Sequence, residues 1–132
     1  MNKNRESTFR FKQFSLSNSL SAMKVGTDGV LLGAWTQVPG DKADAAVLDV
    51  GCGTGVIGLM VAQRYPGASV VCIDVSTEAV TECADNIASS PFAGRIEARE
   101  ADFMQFASDC QFDLIVSNPP FFTERIQSPD RL

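Results

Sequence analysis

The chain has 132 residues, of which 45% are hydrophobic and 20% charged, and its net charge is −5. This size and composition suit one folded domain with its own core and exclude a disordered chain. The longest apolar run is shorter than the roughly 20 residues that a membrane-spanning helix needs, so no membrane partner is expected.

The cysteine and histidine content limits the kinds of metal and disulfide sites that the chain can form. The four cysteines show no C-x-x-C spacing, and the chain contains no histidine. We therefore predict neither a disulfide framework nor a zinc site, and we expect no metal. Unpaired cysteines are typical of a reducing compartment, which favours the cytoplasm.

Charge is unevenly divided along the chain. Residues 1–24 carry five basic residues against one acidic residue, a net charge of +4, whereas residues 25–132 are acidic. A basic arm on an acidic body can contact nucleic-acid phosphates, although a solvated tail explains the charge equally well. We therefore predict a basic arm, 1–24, and a folded part, 25–132. Alternating aromatic and polar residues at Phe9–Phe14 predict a strand in the arm.

The folded part begins with a predicted helix. Thr27 or Asp28 is a suitable N-cap, and the helix should end before Pro39. Lys24 precedes this helix and is a candidate partner for a ligand carboxylate, with an ordinary surface lysine as the alternative.

The stretch Asp-Val-Gly-Cys-Gly-Thr-Gly is the most informative part of the chain. An apolar strand at 47–50 leads into Gly51, Gly53 and Gly55, and an apolar helix follows from about Thr54 to Tyr65. Strand, glycine turn and helix form the opening of a nucleotide-binding βαβ unit. Glycines allow unusual backbone dihedrals and let a ligand lie against bare backbone.

Two features of this stretch bear on the ligand. Val56 stands where a dinucleotide fingerprint has its third glycine, which disfavours a nicotinamide cofactor. Asp49, two residues before Gly51, brings a carboxylate close to the turn, where it suits a ligand that carries an amino group.

Three further strands are predicted after the glycine loop, at Ser69–Asp74, near Arg95–Arg99 and at Phe112–Ser117. A helix capped by Ser76 or Thr77 separates the first two of these, with apolar positions 80, 83, 84 and 87 on one face. This alternation predicts an α/β domain with a parallel sheet, whose ligand crevice lies at the carboxyl ends of the strands.

Polar and aromatic residues follow these strands. Asp74 ends the second strand and is suited to accept hydrogen bonds from ribose hydroxyls, and the adjacent Val75 is assigned to the same site. Asp102 is a candidate acceptor for an adenine amine, or alternatively a helix cap, and Phe103 would lie beside the ring. The last strand leads directly into Asn-Pro-Pro-Phe at 118–121. There the prolines remove backbone donors and stiffen the turn.

Together the glycine loop and these acids resemble the cofactor site of Rossmann-like methyltransferases that use S-adenosylmethionine (SAM). The Asn-Pro-Pro-Phe sequence is similar to the signature of enzymes that methylate a planar nitrogen: adenine N6, guanine N2 or a glutamine amide. Phe9–Leu16 and Met23–Trp35 resemble the start of the bacterial family that N6-methylates the adenosine beside the anticodon of a valine tRNA.

The resemblance implies a SAM cofactor, a tRNA substrate and a sheet ordered 3-2-1-4 when its four strands are numbered along the chain. It also implies that the remaining strands of the sheet are missing from this chain. The catalytic turn would comprise Asn118, Pro119, Pro120 and Phe121, with Asn118 also touching the cofactor. The alternatives are a guanine-N2 ribosomal RNA methyltransferase, a protein glutamine methyltransferase, or a SAM-binding module without catalysis.

Overall fold

The computed structural model describes residues 8–10, 15–17, 27–106 and 111–118, with side chains from Gly29 onward. In these residues a parallel four-stranded sheet forms the centre of the fold. Its strands are β3 (Ala46–Val50), β4 (Ser69–Asp74), β5 (Ile96–Glu100) and β6 (Leu114–Ser117). They are ordered β5-β4-β3-β6, and all three pairings are parallel. This confirms the order 3-2-1-4.

In the described part of the chain, three helices accompany the sheet: α1 (Thr27–Trp35), α2 (Val56–Arg64) and α3 (Thr77–Ala88). Short 3-10 turns cover Pro39–Asp41 and Ala93–Arg95. The boundaries agree with the predicted helices to within about two residues. The Ser76 side chain accepts a hydrogen bond from the Ala79 N–H at 3.2 Å, as expected of an N-cap.

Burial explains why β3 and β4 occupy the middle of the sheet. Val47, Leu48 and Asp49 are consecutive and all buried, as are Cys72 and Ile73. A strand covered on both faces needs such continuous runs rather than alternation. Each fully buried Val, Leu or Ile side chain contributes about 1.5–3 kcal/mol of transfer free energy.

Glycines let the helices pack closely. A Cβ placed on Gly58 of α2 would lie 2.8 Å from the Cys72 sulfur of β4, and one on Gly33 of α1 would lie 2.7 Å from the Met60 sulfur of α2. Helix α1 therefore packs on α2, and α2 packs on the sheet. A larger residue in place of either glycine would push these elements apart.

Two arginines bind backbone carbonyls at the C-terminal ends of α1 and α2. Arg95 donates to the carbonyls of Ala62 at 3.0 Å and Ala68 at 2.8 Å, at and beyond the end of α2. Arg64 donates to the carbonyl of Gly33 at 3.0 Å and also to that of Thr36. Carbonyls that a helix end leaves without partners are satisfied in this way.

One prediction is tested only at its start, and another differs from the structure. Of the strand predicted at Phe9–Phe14, Phe9 and Arg10 lie in β1 (Thr8–Arg10), which pairs antiparallel with β2 (Ser15–Ser17), and residues 11–14 lie outside the described part. In α3, Ala84 is exposed, whereas the polar Glu82 and Asn86 are buried. The buried face of α3 is therefore rotated from the apolar stripe, because it meets polar groups as well as the sheet.

Both outer strands carry exposed side chains. Glu97, Arg99 and Glu100 are exposed on β5, a charge pattern that protects a sheet edge. On β6, Ile115 is 54% exposed, and among the described residues β6 pairs only with β3. None of the helices in the described residues combines the length and hydrophobicity needed to cross a membrane.

Candidate functional site

The carboxyl ends of β3 and β6 bring two predicted site segments side by side. Val50 and Ser117 are partners in the parallel register of these strands. The next residues are Gly51, which opens the glycine loop, and Asn118, which opens the Asn-Pro-Pro-Phe turn. The two segments, 67 positions apart in the sequence, therefore leave the sheet at neighbouring points of one edge.

The glycine loop has the backbone conformation that its composition predicts. Gly51, Gly53 and Gly55 have φ angles of 69°, 54° and 91°, in the left-handed region that favours glycine. The N–H groups of Gly51 and Cys52 both donate to the carbonyl of Ile73, at 2.8 and 3.0 Å. The loop is thereby fixed to the end of β4.

The glycines differ in what surrounds them. A Cβ on Gly51 would meet nothing within 4 Å, whereas one on Gly55 would lie 2.8 Å from the Cys83 sulfur. Gly51 thus faces open space in which a ligand can approach the backbone, and Gly55 allows α3 to approach the loop. Helix α2 starts directly after Gly55, so the N–H groups of its first turn lie at the same place, and the one of Gly58 is bound by Asp49.

Asp74 organises this loop from the neighbouring strand. Its Oδ2 accepts a hydrogen bond from the Gly53 N–H at 2.9 Å, and its Oδ1 accepts one from the Ser76 N–H at 3.0 Å. A carboxylate offers about four acceptor positions, so both oxygens retain capacity for ligand hydroxyls. The contact of Asp74 with ribose stays a prediction. Its hydrogen bond to the glycine loop is observed.

Asp49 lies beneath the loop and is fully buried. Its Oδ2 accepts a hydrogen bond from the Gly58 N–H at 3.1 Å, near the start of α2. Burial raises the pKa of Asp49 well above its usual value, and the neighbouring Cys52 adds to this effect. Its Oδ1 has no hydrogen-bond partner among the described residues and is the buried acceptor that the site has available.

Residues after β4 and β5 form the outer part of the site. The Ala101 N–H donates to the Asp74 carbonyl at 2.9 Å, which keeps these two strand ends together. Val75 and Phe103 are exposed apolar side chains. Asp102 is exposed, and its Oδ1 accepts a hydrogen bond from the Met104 N–H at 3.0 Å, so it caps a turn. A helix cap was the alternative considered for Asp102, but residues 101–106 contain a turn and no helix; the second carboxylate oxygen can still contact a ligand.

Asn118 lies next to the first turn of α1. Its Nδ2 is 3.4 Å from the position that a Cβ on Gly29 would occupy. Gly29 was not predicted as part of the site. The sequence feature that could have pointed to it is a glycine placed in the first turn of a helix, where glycine lowers helix stability.

Several predicted site residues lie outside the described ranges. These are Lys24, Pro119, Pro120 and Phe121. Thr27, which was predicted as a possible N-cap, is the first residue of α1, and its side chain is also outside the described part. Their roles therefore stay predictions.

Three buried cysteines of the described residues are free thiols: Cys52 in the loop, Cys72 on β4 and Cys83 on α3. Hydrogen bonds from the Cys52 and Cys72 thiols lower the pKa of Cys83 to about 6, whereas the pKa of Cys72 is raised. In residues 27–106 and 111–118, no group of three or more side chains is arranged to bind a metal ion.

Asn86 is another polar residue near the loop that sequence reasoning missed. Its Nδ2 donates to the carbonyl of Thr54, within the glycine loop, at 3.0 Å. An amide in the interior of an amphipathic helix was its only sequence signal.

The fold, together with the site at the carboxyl ends of its strands, defines a Rossmann-like methyltransferase domain. A putative RNA methyltransferase from Pyrococcus horikoshii superposes with a TM-score of 0.62 at 27% identity, over 86% of this chain and 55% of that one. The chain belongs to the methyltransferase small domain family, whose profile matches residues 20–130.

Curated relatives carry the name that the sequence resemblance suggested. A tRNA1(Val) (adenine(37)-N6)-methyltransferase from Bacteroides thetaiotaomicron is 46% identical over 124 residues, which is 93% of this chain and 51% of that protein. Its counterpart from Erwinia tasmaniensis is 45% identical over 132 residues, covering 96% of this chain and 53% of that protein. The chain spans about half the length of these relatives.

Proposed function

We propose that the chain is the N-terminal part of a SAM-dependent enzyme that methylates N6 of an adenosine in the anticodon loop of a valine tRNA. One observation carries the proposal: the register of Val50 with Ser117 brings the glycine loop and Asn118 to adjacent strand ends. A methyl donor on the loop and an amine held by Asn118 would then be neighbours. The names of the relatives at 45–46% identity support the tRNA substrate.

The residues present fit SAM. Open space over Gly51 allows the ligand to lie against the backbone, and the remaining acceptor capacity of Asp74 suits ribose hydroxyls. The Oδ1 of Asp49, which has no hydrogen-bond partner among the described residues, has capacity to accept a hydrogen bond. Val75 and Phe103 would cover the faces of the adenine, and Asp102 would accept from its amine. Bound there, SAM supplies an electrophilic methyl group on a sulfonium.

The Asn-Pro-Pro-Phe turn would prepare the nucleophile. The N6 amine of adenine is a poor nucleophile because its lone pair is delocalised into the ring. The side-chain oxygen of Asn118 and the carbonyl of Pro119 would accept its two N–H bonds, which makes the nitrogen more pyramidal and directs the lone pair at the methyl group. No strong base is needed, because the methylated nitrogen becomes acidic and can release its proton afterwards.

The aromatic residue of the turn has a separate task. Phe121 would stack on the target base, an interaction worth about 1–3 kcal/mol. The base must leave its stack to reach the site, as enzymes that act on bases require. The π face of Phe121 would also favour the positive charge that develops during transfer. Lys24 and Thr27 would contact the methionine part of the cofactor from the start of α1.

The charge distribution gives the two segments different tasks. Residues 1–24, with a net charge of +4, would form a basic arm that contacts tRNA phosphates. Residues 25–132 would form the N-terminal part of the methyltransferase domain. The proposed tRNA substrate and the three free cysteines among the described residues support a cytoplasmic enzyme.

The test is nucleoside analysis of tRNA from cells that lack the gene. We expect N6-methyladenosine to disappear from the valine tRNA and to return when the wild-type gene, but not an Asn118→Ala variant, is restored. Incubation of the protein with labelled SAM and tRNA, ribosomal RNA or release factors distinguishes the alternatives. Labelled N2-methylguanosine would indicate a ribosomal RNA enzyme, and labelled protein a glutamine methyltransferase. SAM binding without transfer to any of them would indicate a non-catalytic module.

A further inference from the structure

We propose that Asn86 is a positioning residue: its side-chain amide holds the glycine loop in the conformation that binds the cofactor. The proposal rests on the proposed function in one respect, namely that the ligand of the loop is SAM. Asn86 is buried, and in this proposal it acts on the cofactor indirectly, through the carbonyl of Thr54.

The contact is buried and long-range. Asn86 is 4% exposed and Thr54 is 3% exposed. The Nδ2 of Asn86 donates to the Thr54 carbonyl at 3.0 Å across 32 positions of sequence. A buried carbonyl that loses its donor keeps the full cost of desolvation, so this bond matters more than an exposed one.

The position of the contact within the loop suggests its task. Thr54 lies between Gly53 and Gly55, which both have positive φ. Glycine is the residue with the greatest backbone freedom, so a loop with three of them needs outside contacts to keep a single conformation. Asp74 binds the N–H of Gly53, and Asn86 binds the C=O of Thr54. Strand β4 thus holds Gly53 by accepting from its N–H, and helix α3 holds the adjacent Thr54 by donating to its carbonyl.

Packing from the same helix reinforces the bond. The Cys83 sulfur lies 2.8 Å from where a Cβ on Gly55 would be, one turn of α3 before Asn86. Because Gly55 has no side chain, α3 comes close enough for the Asn86 amide to reach the loop. The buried polar face of α3, which the apolar pattern did not predict, is explained in part by this task.

The first experiment replaces the amide by an apolar group of similar size. Asn86→Leu removes the donor, and Asp85→Ala, at the exposed neighbouring position, is the matched control for a change in α3. We expect amide hydrogen exchange in residues 51–55 of the ligand-free protein to become faster in Asn86→Leu and to stay unchanged in Asp85→Ala. We also expect the SAM dissociation constant of Asn86→Leu to rise by about tenfold, as follows from leaving a buried carbonyl unpaired.

These two readouts separate the possible failures. Loop exchange and SAM affinity that both stay at wild-type values in a folded Asn86→Leu variant would overturn the proposal. Failure of the wild-type protein to bind SAM would overturn the cofactor assignment, while faster loop exchange in the variant would still support the positioning role. A lower melting temperature with unchanged loop exchange and affinity would assign Asn86 to general stability and would also overturn it.

A second variant keeps the size of the side chain and is available if Asn86→Leu does not fold. In Asn86→Asp, the neutral carboxyl can donate its O–H to the Thr54 carbonyl, but the ionised form cannot. Burial raises the pKa of such a carboxyl. We therefore expect SAM affinity within about threefold of wild type near pH 6 and about tenfold weaker near pH 8.5.

The wild-type protein, measured at the same pH values, provides the baseline, because other titratable groups lie on α3 and on the elements packed against it. Among the described residues, these groups are Glu78, Glu82, Cys83 and Asp85 on α3, Cys52 in the loop, Asp49 on β3, Cys72 and Asp74 on β4, and Glu97, Arg99 and Glu100 on β5. A ratio of variant to wild-type affinity that does not change with pH would contradict the role of the Asn86 donor.

Discussion

Asp74 accepts a hydrogen bond from the Gly53 N–H at 2.9 Å, so the acid that ends β4 holds the loop that follows β3. Its other oxygen accepts from Ser76, at the N-cap of α3. A substitution of Asp74 therefore removes a hydrogen bond to the loop as well as the proposed hydrogen bonds to ribose.

We expect Asp74→Ala to weaken SAM binding by about 1–3 kcal/mol, the cost of losing hydrogen bonds to a charged acceptor. Asp74→Asn keeps one acceptor oxygen and should fall between wild type and Asp74→Ala. Calorimetry on the intact protein measures both, with Glu100→Gln as the control because Glu100 is the register partner of Asp74 on β5. Unchanged affinity in Asp74→Ala would remove this residue from the site.

Asn118→Ala should abolish methyl transfer yet leave most SAM binding intact. Its proposed task begins only when the amine enters, so the loss falls on the transition state. Removing one preorganised hydrogen bond at a reacting centre costs about 10²–10³ in rate. Single-turnover transfer and SAM affinity, measured on one preparation, test this, with Ser117→Ala as the control. Near-normal transfer would mean that the turn is architectural, and the proposed mechanism would have to be abandoned.

Gly33→Ala should destabilise the protein through the packing of α1 against α2. The added Cβ would lie 2.7 Å from the Met60 sulfur and 3.0 Å from the Met60 Cβ. Overpacking of this kind costs about 1–3 kcal/mol, partly offset by the better helix propensity of alanine. Urea unfolding measures the destabilisation, and Gly94→Ala is the control because its Cβ would meet nothing within 4 Å. Equal stabilities of the two variants would contradict the packing of α1 on α2.

Asp113 should make stability depend on pH in the acid range. The Ala46 N–H at 2.8 Å and Lys42 at 3.2 Å lower the pKa of Asp113 below its usual value. Because the pKa is lower in the folded state than the unfolded value of about 3.9, the contribution is complete above that pH and is lost as the pH falls through the folded pKa.

The check compares the unfolding free energy of wild type and Asp113→Asn from pH 7 to pH 3. We expect a constant difference down to about pH 5 that shrinks at lower pH. Lys42→Met removes only the exposed ion pair and should have the smaller effect. A difference that is as large at pH 3 as at pH 7 would show that ionised Asp113 does not contribute.

Charge reversal at Arg10 and Lys12 should weaken tRNA binding and flatten its dependence on salt. Both residues belong to the proposed basic arm. For every phosphate that is no longer neutralised, the slope of log affinity against log salt decreases by about 0.9 for duplex and 0.7 for single-stranded nucleic acid. Filter binding over a range of salt concentrations measures the slope, and SAM affinity serves as the internal control. An unchanged slope would leave the arm with a structural role only.

Local sequence determined the elements of this domain. The mostly apolar runs at 47–50 and 70–73, the glycines at 51, 53 and 55 and the Ser76 cap all act through neighbours in the chain. Apolar runs require cover on both faces, glycines permit positive φ, and a serine side chain binds the nearest free N–H. The strand order then followed from the resemblance and was confirmed by the pairing of β5, β4, β3 and β6.

Only the tertiary structure decided which side chains support the loop. The bond from Asn86 to Thr54 and the approach of Cys83 to Gly55 connect positions 28 to 32 residues apart, and no local pattern distinguishes that asparagine from one on a surface. The burial of Asp49 against Gly58 likewise depends on how α2 lies on the sheet. The physical reason is that a local sequence pattern can reveal a contact only when both residues are close together in the chain. The contacts that shape this site are instead made between residues of different strands and helices, which only the packing of the domain brings together.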